Sequence, residues 1–248
     1  MATREEAPSA AELHFEGDSL EVLSDFPDEV KRALGFSLRQ HQIGREPTSQ
    51  TRSMSSIGSG VYELKEADEP VWYRAIYLSK MGNTIYVLHC SEKESRKTDH
   101  RDIEVARQRL KLVGQRLQER EHMKSAATNK PTHIVKGNIF DALGFSASEA
   151  SALKIKAEIL SAILKHVRAK GYTQAQLVDI LDEYQPSVSN LLNGRISQVS
   201  IEKLLRYADR LHLQTSIAVR PVDGRSSRGG VQAVANTGRP ARKLAAAI

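Results

Sequence analysis

Apolar positions along this chain repeat with two periods, and the places where one gives way to the other mark its elements. Val30, Leu34 and Leu38 fall on one helical stripe with Ala33 beside it. The stripe follows Phe26-Pro27-Asp28-Glu29, which puts proline in the first turn and two acids at the positive end of the helix dipole. Gly44 stops this helix. Residues 46–59, rich in Ser, Thr and Gly, read as a loop. Alternation with period two then predicts strands over 60–64, 71–77 and 84–90. Their connections are short, the second carrying Gly82-Asn83, so neighbours run antiparallel as a meander. In the middle strand Tyr73, Ala75 and Tyr77 point to one face, and Trp72, Arg74 and Ile76 to the other. Ile103, Ala106, Leu110, Val113 and Leu117 return to helical spacing and predict a long amphipathic helix.

Beyond residue 116 the periodicity lapses until a small helical turn holding Phe140 and Leu143. Ser146 and Glu149 form a capping box for a helix whose stripe is Ile155, Ile159, Ile163 and Val167, widened by Leu160 and Leu164 and ended by Gly171. Thr173 and Gln176 make a second capping box, before a two-turn helix carrying Leu177, Val178 and Leu181. Asp182-Glu183-Tyr184 interrupt it, and a further short helix from Gln185 carries Val188, Leu191 and Leu192 up to Gly194. Two short helices joined by a tight turn describe a helix-turn-helix. A last helix, capped by Ser200, places Ile201, Leu204, Leu205, Ala208 and Leu211 inward, and residues 215–219 suggest a short strand. The fold class read from this is α+β: helices plus an antiparallel meander, then an all-α domain with a short terminal strand. The expected division is a flexible leader at 1–17, a first domain at 18–120, a linker at 121–136, a second domain at 137–221 and a disordered basic tail at 222–248.

Composition narrows the class of protein. At 248 residues, 40% hydrophobic and 27% charged, the chain has room for two ordinary soluble domains. A single cysteine, Cys90, leaves no internal disulfide and no cysteine-based zinc site, and fits a reducing compartment. No apolar run approaches the roughly 18 residues of a membrane span, and the N-terminus lacks an apolar signal core, so a cytoplasmic location and no membrane partner are expected. The net charge of +6 suggests a polyanionic partner. Part of that excess lies in the tail, where Arg225, Arg228, Arg239, Arg242 and Lys243 face Asp223 alone.

The second short helix shows an outer face of Gln185, Ser187, Ser189, Asn190 and Asn193, which carries no acid and suits base edges and phosphates. Thr173, Gln174, Leu177, Leu181, Gln185, Val188, Ser189, Leu191 and Gly194 resemble the pattern of the Cro/CI-type (Xre) helix-turn-helix. The resemblance implies operator DNA as partner and a homodimer formed through this domain. Gln185, Ser187 and Asn190 are candidates for base edges; Gln174, Asn193 and Arg195 are candidates for phosphates. The chain departs from the pattern at Asp182 and Glu183, where the family has a turn glycine and an apolar residue, so a distorted turn and repulsion of DNA are expected there. A helical hairpin buried in some other all-α domain, with Gln185 and Ser187 only capping, is the plain alternative.

The first domain resembles the HigB/RelE-like toxin superfamily, in its phage-derived (gp-forty-nine-like) branch. The residues that carry this are Phe26-Pro27-Asp28-Glu29-Val30, Val61-Tyr62-Glu63-Leu64-Lys65, Tyr73-Arg74-Ala75-Ile76-Tyr77, Val87-Leu88-His89, Lys93, Asp102-Ile103 and Arg109-Leu110. Gly137-Asn138-Ile139-Phe140 and Leu143-Gly144 add matches to the HigA-like antitoxin of the same branch. The resemblance implies a ribosome-dependent mRNA endonuclease, that is an mRNA interferase, neutralised in cis by a DNA-binding antitoxin that represses its own operator. Cleavage by 2′-hydroxyl attack needs a base, cations for the phosphorane charge and a proton donor, and neither metal nor cofactor is expected. Arg74 is the candidate phosphate clamp, Lys93 a charge stabiliser or proton donor, and His89 an acid or base; Lys65, Arg96 and Lys97 are candidates for the RNA backbone. Against each stands a structural role: for Arg74 an ion pair with Glu63, for His89 a packed strand position, for the lysines a solvated loop. Where the family has F-x-K-K this chain has Ser91-Glu92-Lys93-Glu94. That departure favours the other reading, a transcriptional regulator whose inactive toxin-like domain serves dimerisation or ligand sensing.

Overall fold

The computed structural model describes residues 10–94, 99–122, 131–218 and the backbone of 232–235. Its N-terminal half is built on one sheet: β1 (Glu12–Phe15), β2 (Gln50–Ser53), β3 (Val61–Asp68), β4 (Val71–Met81), β5 (Thr84–Lys93) and β6 (His133–Val135), in the order β2-β3-β4-β5-β1-β6. The meander β3–β4–β5 is present and its strands run longer than the alternation predicted. β1 runs parallel to β5, and every other pairing is antiparallel. Three strands fall where none was expected. β1 lies within the stretch read as a flexible leader, β2 within the presumed loop, and β6 within the presumed linker. Each is three or four residues long, too short to establish a period, and each is held by a ladder to a distant neighbour. β1 lies between β5 and β6, with Leu13 and Phe15 fully buried.

The sheet has two covered faces. On one lie α1 (Ser19–Asp25) and α2 (Asp28–Gln42), where Phe26, Val30, Leu34 and Leu38 pack with Tyr73, Ala75, Tyr77 and Val87. On the other lies α3 (His100–His122), whose Ala106 and Val113 meet Ile76, Leu78, Tyr86 and Leu88, with Met54 and Ile57 closing the edge. The ladder between β4 and β5 slips at one point: Ile76 pairs with His89 but Tyr77 pairs with Val87, which leaves Leu88 as an extra residue. This bulge turns His89 to the α3 face, where strict alternation from Tyr86 would have sent it to the α2 face.

The C-terminal half consists of α4 (Ile139–Ala142), α5 (Ala147–Lys170), α6 (Gln174–Leu181), α7 (Gln185–Leu192), a 3-10 turn (Ile196–Gln198) and α8 (Ile201–Arg210). β7 (Thr215–Ala218) pairs with β8 (Gln232–Ala235), a strand inside the stretch read as a disordered tail. Of the two capping boxes expected, that of Thr173 and Gln176 is complete, while Ser146 accepts from the Glu149 amide and the Glu149 carboxylate pairs with Arg32; Ser200 accepts from the Lys203 amide. The architecture is α+β throughout.

The two halves share a core. One cluster of buried side chains runs from Leu13 and Phe36 through Phe140 and Leu143 to Leu164, Leu191 and Leu204. The seam follows α2. A Cβ on Gly35 would stand 2.9 Å from Leu143 Cδ1 and 3.0 Å from Phe140 Cε1, so glycine is what lets α4 come this close. Arg32 bonds Glu149 at 2.5 Å, Lys31 and Arg32 lie over the Phe145 ring, and Gln40 bonds Ser161. Burying Phe140 and Leu143 there contributes roughly 1.5–3 kcal/mol each.

Candidate nucleic-acid interfaces

The residues proposed for RNA chemistry gather under α3. Alternation along β4 and β5 puts Arg74, Ser91 and Lys93 on one face, with Lys65 opposite Arg74 in β3. The bulge adds His89 to them. Arg74 is fully buried, its Nε 3.5 Å from Glu63 Oε1, while Lys65 Nζ lies 3.1 Å from the other oxygen of that carboxylate. Arg74 Nη1 also donates to the Trp72 carbonyl at 3.4 Å. The candidate phosphate clamp is thus closed off from solvent and set against an acid, the structural role weighed for it above. Lys93 remains accessible, 44% exposed and 3.7 Å from Asp99. Arg96 and Lys97 lie outside the described residues.

His89 is held from both sides. Its Nε2 stands 3.2 Å from Asp102 Oδ1, and its Nδ1 3.5 Å from Arg109 Nη1. Arginine only donates, so Nδ1 is the acceptor and Nε2–H donates to Asp102, which assigns the tautomer. Burial pushes the Asp102 carboxyl up, but bonds from His89 and Ser91 and the charge of Lys93 outweigh it and hold the group below its usual range. Arg109 also donates to the Leu88 carbonyl at 3.0 Å and to Asp18 at 2.7 Å; that bond lowers the Asp18 carboxyl. Arg116 bonds Glu16, both buried. Asp102, Arg109 and Arg116 belong to this site, and no motif in the sequence marks them as members of it. Their signal is one of spacing: they recur every seven residues beside the apolar seam, which puts a polar stripe on the sheet-facing side of α3. Burial also raises the Cys90 thiol, as suits a core position.

The second candidate interface is α6–α7. Leu177, Leu181, Val188 and Leu191 are buried between the helices, while Gln185, Asn190 and Asn193 are exposed and Gln174 and Ser187 half-buried. Gln174 Nε2 donates to the Gln185 carbonyl at 3.4 Å, which joins the N-termini of the two helices; Asn193 donates to Ser189 Oγ at 3.3 Å. The helix-turn-helix is therefore not walled in by other helices. The turn is not distorted either. Asp182 takes the left-handed conformation (φ 47°, ψ 56°) that glycine would otherwise supply, and its carboxylate meets Arg210 at 3.1 Å. Glu183 turns inward to Lys203 at 2.9 Å and Arg206 at 3.8 Å, so both acids expected to repel DNA are matched by cations of α8. Arg195, proposed for a phosphate, points instead to Glu66 of β3 at 2.8 Å. A Cβ on the neighbouring Gly194 would collide with Thr48 and Phe36, so the end of α7 is seated on the N-terminal half.

Among the described residues no cluster of His, Cys, Asp and Glu could hold a metal ion, and no helix is long and apolar enough to cross a membrane. Comparison with protein families places residues 21–111 in the family described as Phage derived protein Gp49-like, and residues 142–220 in a helix-turn-helix domain family. No curated protein and no solved structure matches the chain. The first matched region covers β2–β5 with α2, most of α1 and the first half of α3, and the second covers α5–α8 with β7; β1, β6 and most of α4 lie outside both. The chain is a toxin–antitoxin-like fusion: a Gp49-like domain of the RelE/HigB-like toxin family joined in one polypeptide to a DNA-binding helix-turn-helix domain.

Proposed function

We propose that this fusion binds its own operator as a homodimer through α7, and that its toxin-like half is an mRNA endonuclease held closed in cis. The observation that carries this is the shared core along α2: the helix-turn-helix half is seated on the toxin-like half and cannot leave it without exposing Phe140, Leu143 and Gly35. Closure itself is local. α3 covers the face that bears Arg74 and His89, and the chain runs from α3 into β6, an edge strand beside α4. Seating α4 on α2 therefore keeps β6 on the sheet and α3 over the site. In an opened state Lys93 and Arg74 would meet phosphate and His89 would move the proton, on ribosome-bound mRNA in the cytoplasm, with no cofactor.

The test uses the full chain with Gly35→Leu, which overpacks the seam at a cost of ~1–3 kcal/mol. In a ribosome-containing translation mixture this variant should cut mRNA while wild type does not, and adding Lys93→Ala should abolish the cutting. If hydrogen exchange shows α4 released and mRNA stays intact, the endonuclease reading is lost. The regulator with an inactive toxin-like domain would then stand, a reading favoured by the complete burial of Arg74 against Glu63.

A further inference from the structure

One aromatic is unexplained by packing or by capping. Helix N-caps favour Ser, Thr, Asp or Asn, whose side-chain oxygen accepts an orphan amide. α4, α5, α6 and α8 follow this rule with Asn138, Ser146, Thr173 and Ser200. At α7 the N-cap is Tyr184, which makes no side-chain cap bond. It is 84% exposed, the most exposed of the large hydrophobic residues described. Its backbone is extended (φ −76°, ψ 149°), so with Glu183 turned in against α8, Tyr184 is turned out. The position forgoes a cap and buries nothing, and local rules are broken mainly where function requires it.

Its place says what that function is. Tyr184 immediately precedes Gln185, at the end of the recognition helix that enters the major groove. It lines an open cavity of about 430 Å³ with Val178, Asp179, Asp182 and Glu183. No residue lining that wall is a cation that could hold a phosphate, which leaves an apolar base edge as the contact of the ring; in the major groove that is the thymine 5-methyl group. Resting on the reading of α6–α7 as DNA-binding, we propose that Tyr184 is a specificity residue that packs against a thymine methyl group beside the bases read by Gln185.

The experiment begins with a duplex selected from a randomised pool by the full-length wild-type protein. Tyr184→Phe should bind this duplex within about twofold of wild type, and Tyr184→Ser roughly tenfold more weakly. Tyr184→Ser should melt no lower than wild type, because serine restores the cap. Replacing thymines singly by deoxyuridine should weaken wild type at one position or two and leave Tyr184→Ser indifferent there. Equal binding by Tyr184→Ser, or equal losses on deoxyuridine for both proteins, overturns the proposal. So does a loss of dimer with unchanged affinity per protomer, which would make Tyr184 a docking residue for a second copy. If Gln185→Ala weakens binding and Tyr184→Ser does not, only the assignment of Tyr184 fails. A pool from which wild type selects nothing overturns it together with the DNA-binding reading.

Discussion

Glu63 lies fully buried between two cations, Arg74 and Lys65, and this arrangement decides what Arg74 can do in the closed protein. A carboxylate removed from such a setting leaves buried charge without its counter-ion, a far larger effect than loss of a surface pair. Glu63→Ala should therefore destabilise the fold by ~3–5 kcal/mol in chemical denaturation; a change below about 1 kcal/mol, the scale of a surface pair, would mean the carboxylate is not the counter-charge. Strand parity was enough to place Arg74 opposite Tyr73 and Tyr77, and the ion pair with Glu63 was visible as an alternative. Its depth was not, because that depends on α3 folding back across the sheet. His89 reached its face through the bulge at Leu88, which alternation alone does not reveal. The contact of Arg195 was hidden for a similar reason: its partner Glu66 lies on a strand remote in sequence.

At the scale of elements, legibility followed length. α2, α3 and α5 to α8 carry enough turns to show a stripe, and caps at Ser146, Thr173 and Ser200 fixed the starts of α5, α6 and α8. β1, β2, β6 and β8 exist through their neighbours and have no period of their own to read. The turn between α6 and α7 adds an electrostatic joint. Burial pushes the Glu183 carboxyl up, but bonds from Lys203, Tyr207 and Ser187 prevail and lower it; the bond to Glu183 raises Lys203. A lowered carboxylate stabilises above its unfolded value and loses that contribution as pH falls through the folded one, while a raised ammonium loses its contribution as pH rises through its folded value. Between the ordinary values of 4.5 and 10.5 both contributions are present. Lys203→Met should lower the melting temperature near neutrality and shrink the difference from wild type at both extremes; parallel curves across the whole range would rule the joint out.

On the scale of the whole molecule, the sequence suggested two domains with a linker, and the structure joins them. The matched regions end and begin on either side of residues 112–141, yet α2 packs on α4, α5 and the 3-10 turn, and β6 completes the sheet from beyond α3. The DNA-reading helix is thereby fixed at its C-terminal end to the toxin-like half through Arg195, Gly194 and the bond from Ser197 to Glu29. On the proposed reading, operator binding and closure of the site beneath α3 become properties of one body. Scanning calorimetry of the full chain addresses this most directly. A shared core predicts one transition whose calorimetric and van't Hoff enthalpies stand in a ratio of about one, whereas two separate transitions, one for each half, would contradict it.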